Sequence, residues 1–453
     1  MTEVIEGEPG ARTRQRLDLA SIGPRRAVDA MAMYAFVALG LPDGMIGTAW
    51  PALRHSFGVS LDGLGIVLLL GTAGATCSSS VAGVVLARLG LRPTLIMAGT
   101  IAAVGALLAG LSPHFWTFLV AATAIGVTAG LLDGSLNTAV ALAGRNRLLN
   151  ALHGCYGVGT TIGPLVVTAA ILVASWRPAY AVLLLAELAL VGGWWAVGRR
   201  RAEPASKGPA GTGPAGTGSA SPNSASDMSA SPGGTPAQPM AAGRPPVDET
   251  TGALVNPAAK RDGHRRHLVV KVSLGLVVFM TYTGFEVSAG QWGPSFERGL
   301  LGLGAAATGL VTFGYWGSIT VVRFALAAPR RPLSQRLIVN LGCAVAILGA
   351  ALVWWRPTEI VAIVGLVVIG GALAGVFPAL VALTPGRVGE EMAHHVIGWQ
   401  IGAASVGGAA ISAAFGAVFQ NYGLGYFGPA LVIMAVLTMA GVLALERAAP
   451  IRR

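Results

Sequence analysis

The sequence predicts an all-α membrane protein made of twelve transmembrane helices in two pseudo-symmetric six-helix bundles. Three observations predict it. Apolar residues gather into twelve long runs, a Pro/Gly/Ala/Ser-rich stretch parts those runs six and six, and the cations between runs favour one side.

Of 453 residues, 53% are hydrophobic and only 11% charged, and mean hydropathy is +0.66. A soluble chain carries roughly twice that charged share. Apolar runs of about 20 residues or more are long enough to cross a bilayer as helices. They do not alternate, and backbone in lipid must close its own hydrogen bonds, so strands are not expected.

The first run, 28–57, follows a polar tail (1–27) and contains FVALGLPDGMIGTAWP (36–51). Pro42 removes a helical hydrogen bond beside Asp43. Gly40, Gly44 and Gly47 let a helix or a ligand approach the backbone closely. An unpaired ionised carboxylate at mid-bilayer costs about 2.5–3.5 kcal/mol or more, so such an acid faces a polar cavity, pairs, or stays protonated. Asp43 is read as a cavity acid rather than a structural one. Runs 63–87 and 92–111 follow, joined by a short loop. The fourth, 115–142, carries Asp133 and, one turn on, Asn137 on the same face, which are read as lining that cavity rather than bonding neighbouring helices. The fifth, 149–174, repeats Asn150, His153, Tyr156 and Thr160 at helical spacing. His153 is suited to carrying a proton near neutral pH and equally to packing, so both roles stay open. The sixth, 178–198, holds Glu187, for which local pairing or a neutral acid is expected.

Residues 199–267 are rich in Pro, Gly, Ala and Ser, with little to bury, and are expected to be a disordered linker. The seventh run, 268–296, offers Tyr282, Glu286, Gln291 and Trp292. Runs 304–327, 334–355 and 358–384 come next. The eleventh, 393–420, offers Trp399 and Gln400, and the twelfth is 423–445, before a short tail (446–453). Aromatic faces beside amides suit sugar rings and many drug-like ligands. Trp194, Trp195, Trp354 and Trp355 are read as interface or packing residues.

The net charge is +11, but its placement argues orientation rather than nucleic-acid binding. Arg12, Arg14, Arg16, Arg25, Arg26, Arg88, Arg92, Arg145, Arg147, Arg330, Arg331, Arg336, Arg387, Arg447, Arg452 and Arg453 fall on one side; Arg54, Arg177, Arg298 and Arg356 fall on the other. The positive-inside rule then puts both termini in the cytoplasm of a multi-pass plasma-membrane protein. No cleavable leader is expected, because about 27 polar residues precede the first apolar run. Cys77, Cys155 and Cys343 lie inside apolar runs and form neither a disulfide framework nor a metal spacing.

The halves align. Laying 36–51 over 279–294 without a gap matches Phe36 with Phe279, Asp43 with Glu286, Gly47 with Gly290 and Pro51 with Pro294; GVGTTIG (157–163) lies over GAASVGG (402–408). This is the pattern of internal repeats in transporters. Six plus six helices, a long central loop and GVVLARLGLRP (83–93) after the second run resemble the major facilitator superfamily. In its loop signature Gly83, Arg88, Gly90 and Arg92 fit, while Ala87 replaces the acid. Arg323 with Arg330 and Arg331 looks like a weaker echo of that signature in the second half. Asp43, Asp133 with Asn137, His153 after Leu149-Asn150, the Tyr282-x-Gly284-x-Glu286 run and Pro378 in GVFPALVAL resemble the fucose–galactose–glucose permease branch of proton symporters. That branch has an amide where His153 stands. The resemblance implies a proton carrier at Asp133 and a carboxyl close to a sugar at Asp43.

The expected function is proton-coupled symport of a small polar solute, a sugar among the candidates, by alternating access in a monomer. Asp133 and Asp43 would couple protons. Asp43, Asn137, His153, Tyr156, Tyr282, Glu286, Gln291, Trp292, Trp399 and Gln400 would bind the solute. Proton-driven export of a drug or metabolite remains the rival, and a transport-dead sensor or scaffold a weaker one. No phosphate loop, nucleophile elbow or metal spacing occurs, so neither an enzyme nor a cofactor is expected.

Overall fold

The computed structural model describes residues 24–143, 145–199, 257–328 and 333–449. Most of the expected linker and both tails lie outside these. Among the described residues there are thirteen α-helices, one 3-10 turn and no strand. We number the helices α1 (Arg25–Phe57), α2 (Gly63–Leu89), α3 (Leu91–Leu111), α4 (Phe115–Leu142), α5 (Asn146–Val173), α6 (Arg177–Arg199), α7 (Pro257–Gly299), α8 (Ala305–Ala327), α9 (Gln335–Trp355), α10 (Glu359–Leu373), α11 (Val376–Val388), α12 (Glu390–Tyr422) and α13 (Phe427–Ala448). They supply twelve spans long and apolar enough to cross a membrane, α10 and α11 together making the tenth. The described part of the expected linker next to the seventh run, 257–267, is helical.

Two boundaries differ from expectation. The helix that includes the seventh run begins at Pro257, ahead of the expected start at 268; proline is tolerated at the first helical position, where no N–H is needed. The tenth run is broken at Ala374-Gly375. Pro378 has no N–H to offer the carbonyl of Ala374, four residues back.

Close glycine contacts hold each half together. A Cβ at Gly44 would sit 2.1 Å from Thr160 O, and one at Gly40 would sit 2.2 Å from Tyr156 O, so α1 and α5 touch backbone to backbone. The same contacts show the repeat in the carbonyls that are met, though the glycines that meet them do not align. Val37 and Met280 are aligned positions, and a glycine meets each carbonyl, Gly159 from α5 and Gly407 from α12.

The halves meet unevenly. A Cβ at Gly65 on α2 would lie 2.6 Å from Ala413 Cα on α12, and the N–H of Leu61 donates to Gln420 Oε1 at 2.7 Å. Gly83 lies 18 residues on, five turns of 3.6, and so on the same face of α2 as Gly65. A Cβ there meets nothing, and the same holds at Gly398 and Gly402, which share the helical face of Ala413 and Gln420. The two helices therefore touch at one end and diverge toward the end that carries Arg25 and Ala448. The hydrophobic core agrees. At the sealed end it runs from Met45, Trp50 and Leu64 into Phe285 and Trp292 of the second half. At the other end Phe36, Leu86, Leu136 and Trp194 form a core confined to the first half.

Candidate functional site

Polar side chains of both halves gather inside the bundle. Asp43 is exposed although ringed by protein and far from both ends of α1, so it looks into open space within the bundle. Tyr156 on α5 donates its hydroxyl to Asp43 Oδ2. Gln291 on α7 donates to the Asp43 backbone carbonyl at 2.8 Å. Side chains of both halves thus fix the helix around Pro42.

On α4, Asn137 Nδ2 donates to Asp133 Oδ1 at 2.9 Å, the one-turn pair expected from spacing. Asn137 Oδ1 is buried with no partner among the described residues. Asp133 interacts electrostatically with His153 on α5. His153 is exposed, packs edge-on to Phe36 with centroids 5.6 Å apart, and also feels the charge of Arg323.

In the second half Glu286 lies between Arg323 on α8, Nη2 to Oε1 3.5 Å, and the Tyr282 hydroxyl, which contacts Oε2. Tyr315 donates to the Glu286 backbone carbonyl at 2.7 Å. Arg323 Nε donates to Ala374 O at 3.1 Å, and its charge reaches Tyr156 as well. Asp133, His153, Arg323, Glu286, Tyr156 and Asp43 therefore form one network crossing from half to half. A group of carboxylates sharing a guanidinium, an imidazole and phenols can exchange protons and offers a polar solute both donors and acceptors.

Arg323, inside the expected eighth run, holds a place that sequence reasoning did not give it. It lies within α8 and anchors the network. Its signal was available: a lone cation in SITVVRFALA is as costly in lipid as an acid. Glu297, near the end of α7, was also missed; it is 1% exposed and its Oε2 has no partner among the described residues. Glu187 is buried on α6, and its Oε2 likewise lacks one.

Several expected ligand-binding residues stand elsewhere. Trp292 is fully buried, donates Nε1–H to Ser412 O at 2.9 Å and packs on Phe419. It belongs to the sealed core and does not face the cleft. Gln291 is buried against Gly47 and grips α1 rather than open space. Gln400 is buried and accepts from Thr384 Oγ1 at 3.0 Å, tying α12 to α11. Trp399 is exposed, on the outside of α12. The physical reason is helical phase: at 100° per residue, Trp292 points about 120° away from Glu286 around α7.

The profile of the Major Facilitator Superfamily matches residues 32–413. The chain belongs to that superfamily. It is a multi-pass membrane transporter and not an enzyme. Its fold is similar to that of a D-xylose-proton symporter (TM-score 0.67, 13% identity, covering 94% of this chain and 98% of that one). It is similar to the xylose transporter XylE from E. coli (0.65, 12%, 94% and 96%) and to the nucleoside transporter NupG (0.62, 12%, 92% and 98%). No curated protein matches by sequence.

Proposed function

We propose that this transporter is a proton-coupled symporter of a small polar solute, with sugars as the first class to test. One observation carries the reading: titratable groups from both halves, Asp43 and Asp133 with His153 on one side and Glu286 with Arg323 on the other, lie within electrostatic reach of one another. Asp133 carries the proton, held by Asn137 and close to His153. Asp43 and Tyr156 meet the solute. The likeness in fold to a D-xylose-proton symporter favours sugars as candidates. Arginine placement favours cytoplasmic termini; on that reading the divergence of α2 from α12 faces the cytosol, as in an inward-facing state of a monomeric carrier, while α5 and α8 stay in contact through Gly154 and Phe324.

The test is transport by the purified protein in liposomes, with an imposed pH gradient and a panel of labelled sugars. An inward proton gradient should drive accumulation. Asp133→Asn should abolish it while leaving exchange of preloaded solute intact. Equal loss of both activities would remove Asp133 from the proton role. Accumulation driven only by the opposite gradient would make the protein an antiporter.

A further inference from the structure

We propose that Glu286 sets the bend between α10 and α11, acting through Tyr282 and Arg323, according to whether it holds a proton. The inference rests on the symport reading only for the source of that proton.

The tenth span is interrupted after Leu373, and Pro378 leaves the carbonyl of Ala374 without its helical donor. Two side chains take up the carbonyls at this break. The Tyr282 hydroxyl lies 3.0 Å from Leu373 O, and Arg323 Nε donates to Ala374 O at 3.1 Å. The same two side chains hold Glu286: Arg323 Nη2 is 3.5 Å from Oε1, and Tyr282 Oη contacts Oε2. One carboxyl and one helix break therefore share both of their partners.

A phenol has a single proton to give, and a backbone carbonyl can only accept. With Glu286 protonated, its O–H donates to Tyr282 Oη, and Tyr282 donates onward to Leu373 O. Every group is satisfied. With Glu286 ionised, the carboxylate and the carbonyl compete for one phenolic proton, and the carboxylate is the stronger acceptor. Leu373, fully buried beside a tyrosine that is 1% exposed, then loses its tyrosine partner. A buried carbonyl without a donor is costly, so the break rearranges to find one. The titratable and charged groups facing Glu286 are Tyr282 on its own helix, Arg323 and Tyr315 on α8, and Tyr156 on α5. From α11 the neighbour is Phe377, against the Tyr282 ring; from α12 it is Ile411, against Gly284. The proton thus reaches the backbone of the tenth span through hydrogen bonds alone.

The experiment is hydrogen–deuterium exchange of residues 374–381 in the full-length protein in lipid nanodiscs, without solute, from acidic to alkaline buffer and corrected for intrinsic exchange. The segment should be better protected in acid, and protection should fall roughly fivefold as pH rises, the worth of one hydrogen bond. Glu286→Gln, whose amide keeps donating to Tyr282, should hold the acid level at every pH. Tyr282→Phe should show the lower protection throughout. A flat wild-type profile, or a wild-type response persisting in either variant, overturns the proposal. Uptake in liposomes separates the two readings. A flat profile with intact proton-driven uptake sinks this inference alone; a titrating break without proton-driven uptake sinks symport alone.

Discussion

Replacing Gly65 with valine would drive a wedge into the sealed end of the bundle. A Cβ at this position already lies 2.6 Å from Ala413 Cα, while carbon atoms rest about 3.5–4.0 Å apart. α2 and α12 must separate by roughly 1 Å before the two methyl groups are counted. Overpacking of this kind costs about 1–3 kcal/mol. That cost falls on the state in which this end is shut and is relieved when the halves rock apart there. The equilibrium should therefore move by about five- to 150-fold toward the state closed at the terminal end. The assay is a spin-label distance between Gly83→Cys on α2 and Gly398→Cys on α12. Both positions face open space, so labels fit without distortion, and both lie about 25 Å along the helices from the wedge. Adding Gly65→Val should shift the distance distribution toward short values. An unchanged distribution together with a lower melting temperature would show that the valine merely damages packing, and the rocking of α2 against α12 would be refuted.

Two further outcomes follow from the same contacts. Trp292→Phe should lower thermal stability by about 1 kcal/mol through loss of the Nε1 bond to Ser412 and leave the KM of solute uptake unchanged; a raised KM at wild-type stability would return Trp292 to the cleft. Arg145 grips Asp29 with two hydrogen bonds, Nη1 to Oδ1 at 2.6 Å, tying the α4–α5 loop to the start of α1. The bond to Asp29 raises the Arg145 pKa, against the opposing effect of burial. A raised pKa stabilises the fold throughout the range in which the guanidinium is charged, and that contribution is lost only in strong alkali. Arg145→Gln should therefore lower the melting temperature by the same amount at neutral and mildly alkaline pH, and a loss that shrinks across that window would assign the effect to another group.

The twelve spans were legible because bilayer thickness imposes a length that any sequence must meet, and the runs end within a few residues of the observed helices. The break in the tenth was signalled by Pro378, yet hydropathy is blind to it: both sides of the break are apolar. The acids Asp43, Asp133 and Glu286 were legible for a related reason, since a charge in lipid is costly wherever it sits and so marks a site by residue type alone. Which way an aromatic or amide points depends on the rotational phase of its helix and on its neighbours, and neither is local in sequence. Trp292, Gln291 and Gln400 look like ligand-binding residues in a string of letters, and the structure buries all three and bonds them to other helices. Arg323 was missed for the opposite reason. Inside the eighth run but a short distance from Arg330 and Arg331, it reads as an echo of the loop signature until α8 is seen to carry it beside Glu286.

The network is unbalanced in charge, and on the symport reading the imbalance has a use. Asp43, Asp133 and Glu286 share one guanidinium, Arg323, and one titratable imidazole, His153. While the cleft is open, water screens the carboxylates. Closing the terminal end removes that water, and each carboxylate left ionised and unpaired then carries a burial cost of about 2.5–3.5 kcal/mol. An empty, deprotonated carrier is thus penalised for closing. Protons, with or without a solute whose hydroxyls donate to the remaining acids, lift the penalty. Coupling needs that selectivity, since a carrier that closed equally well empty and ionised would let its conformational cycle run without its ligands. The cost rises with every acid left unpaired, so removing the charge at Asp133 weakens the lock as well as deleting a proton carrier. Asp133→Asn should close more readily without protons, and for that reason it should retain exchange after accumulation is lost.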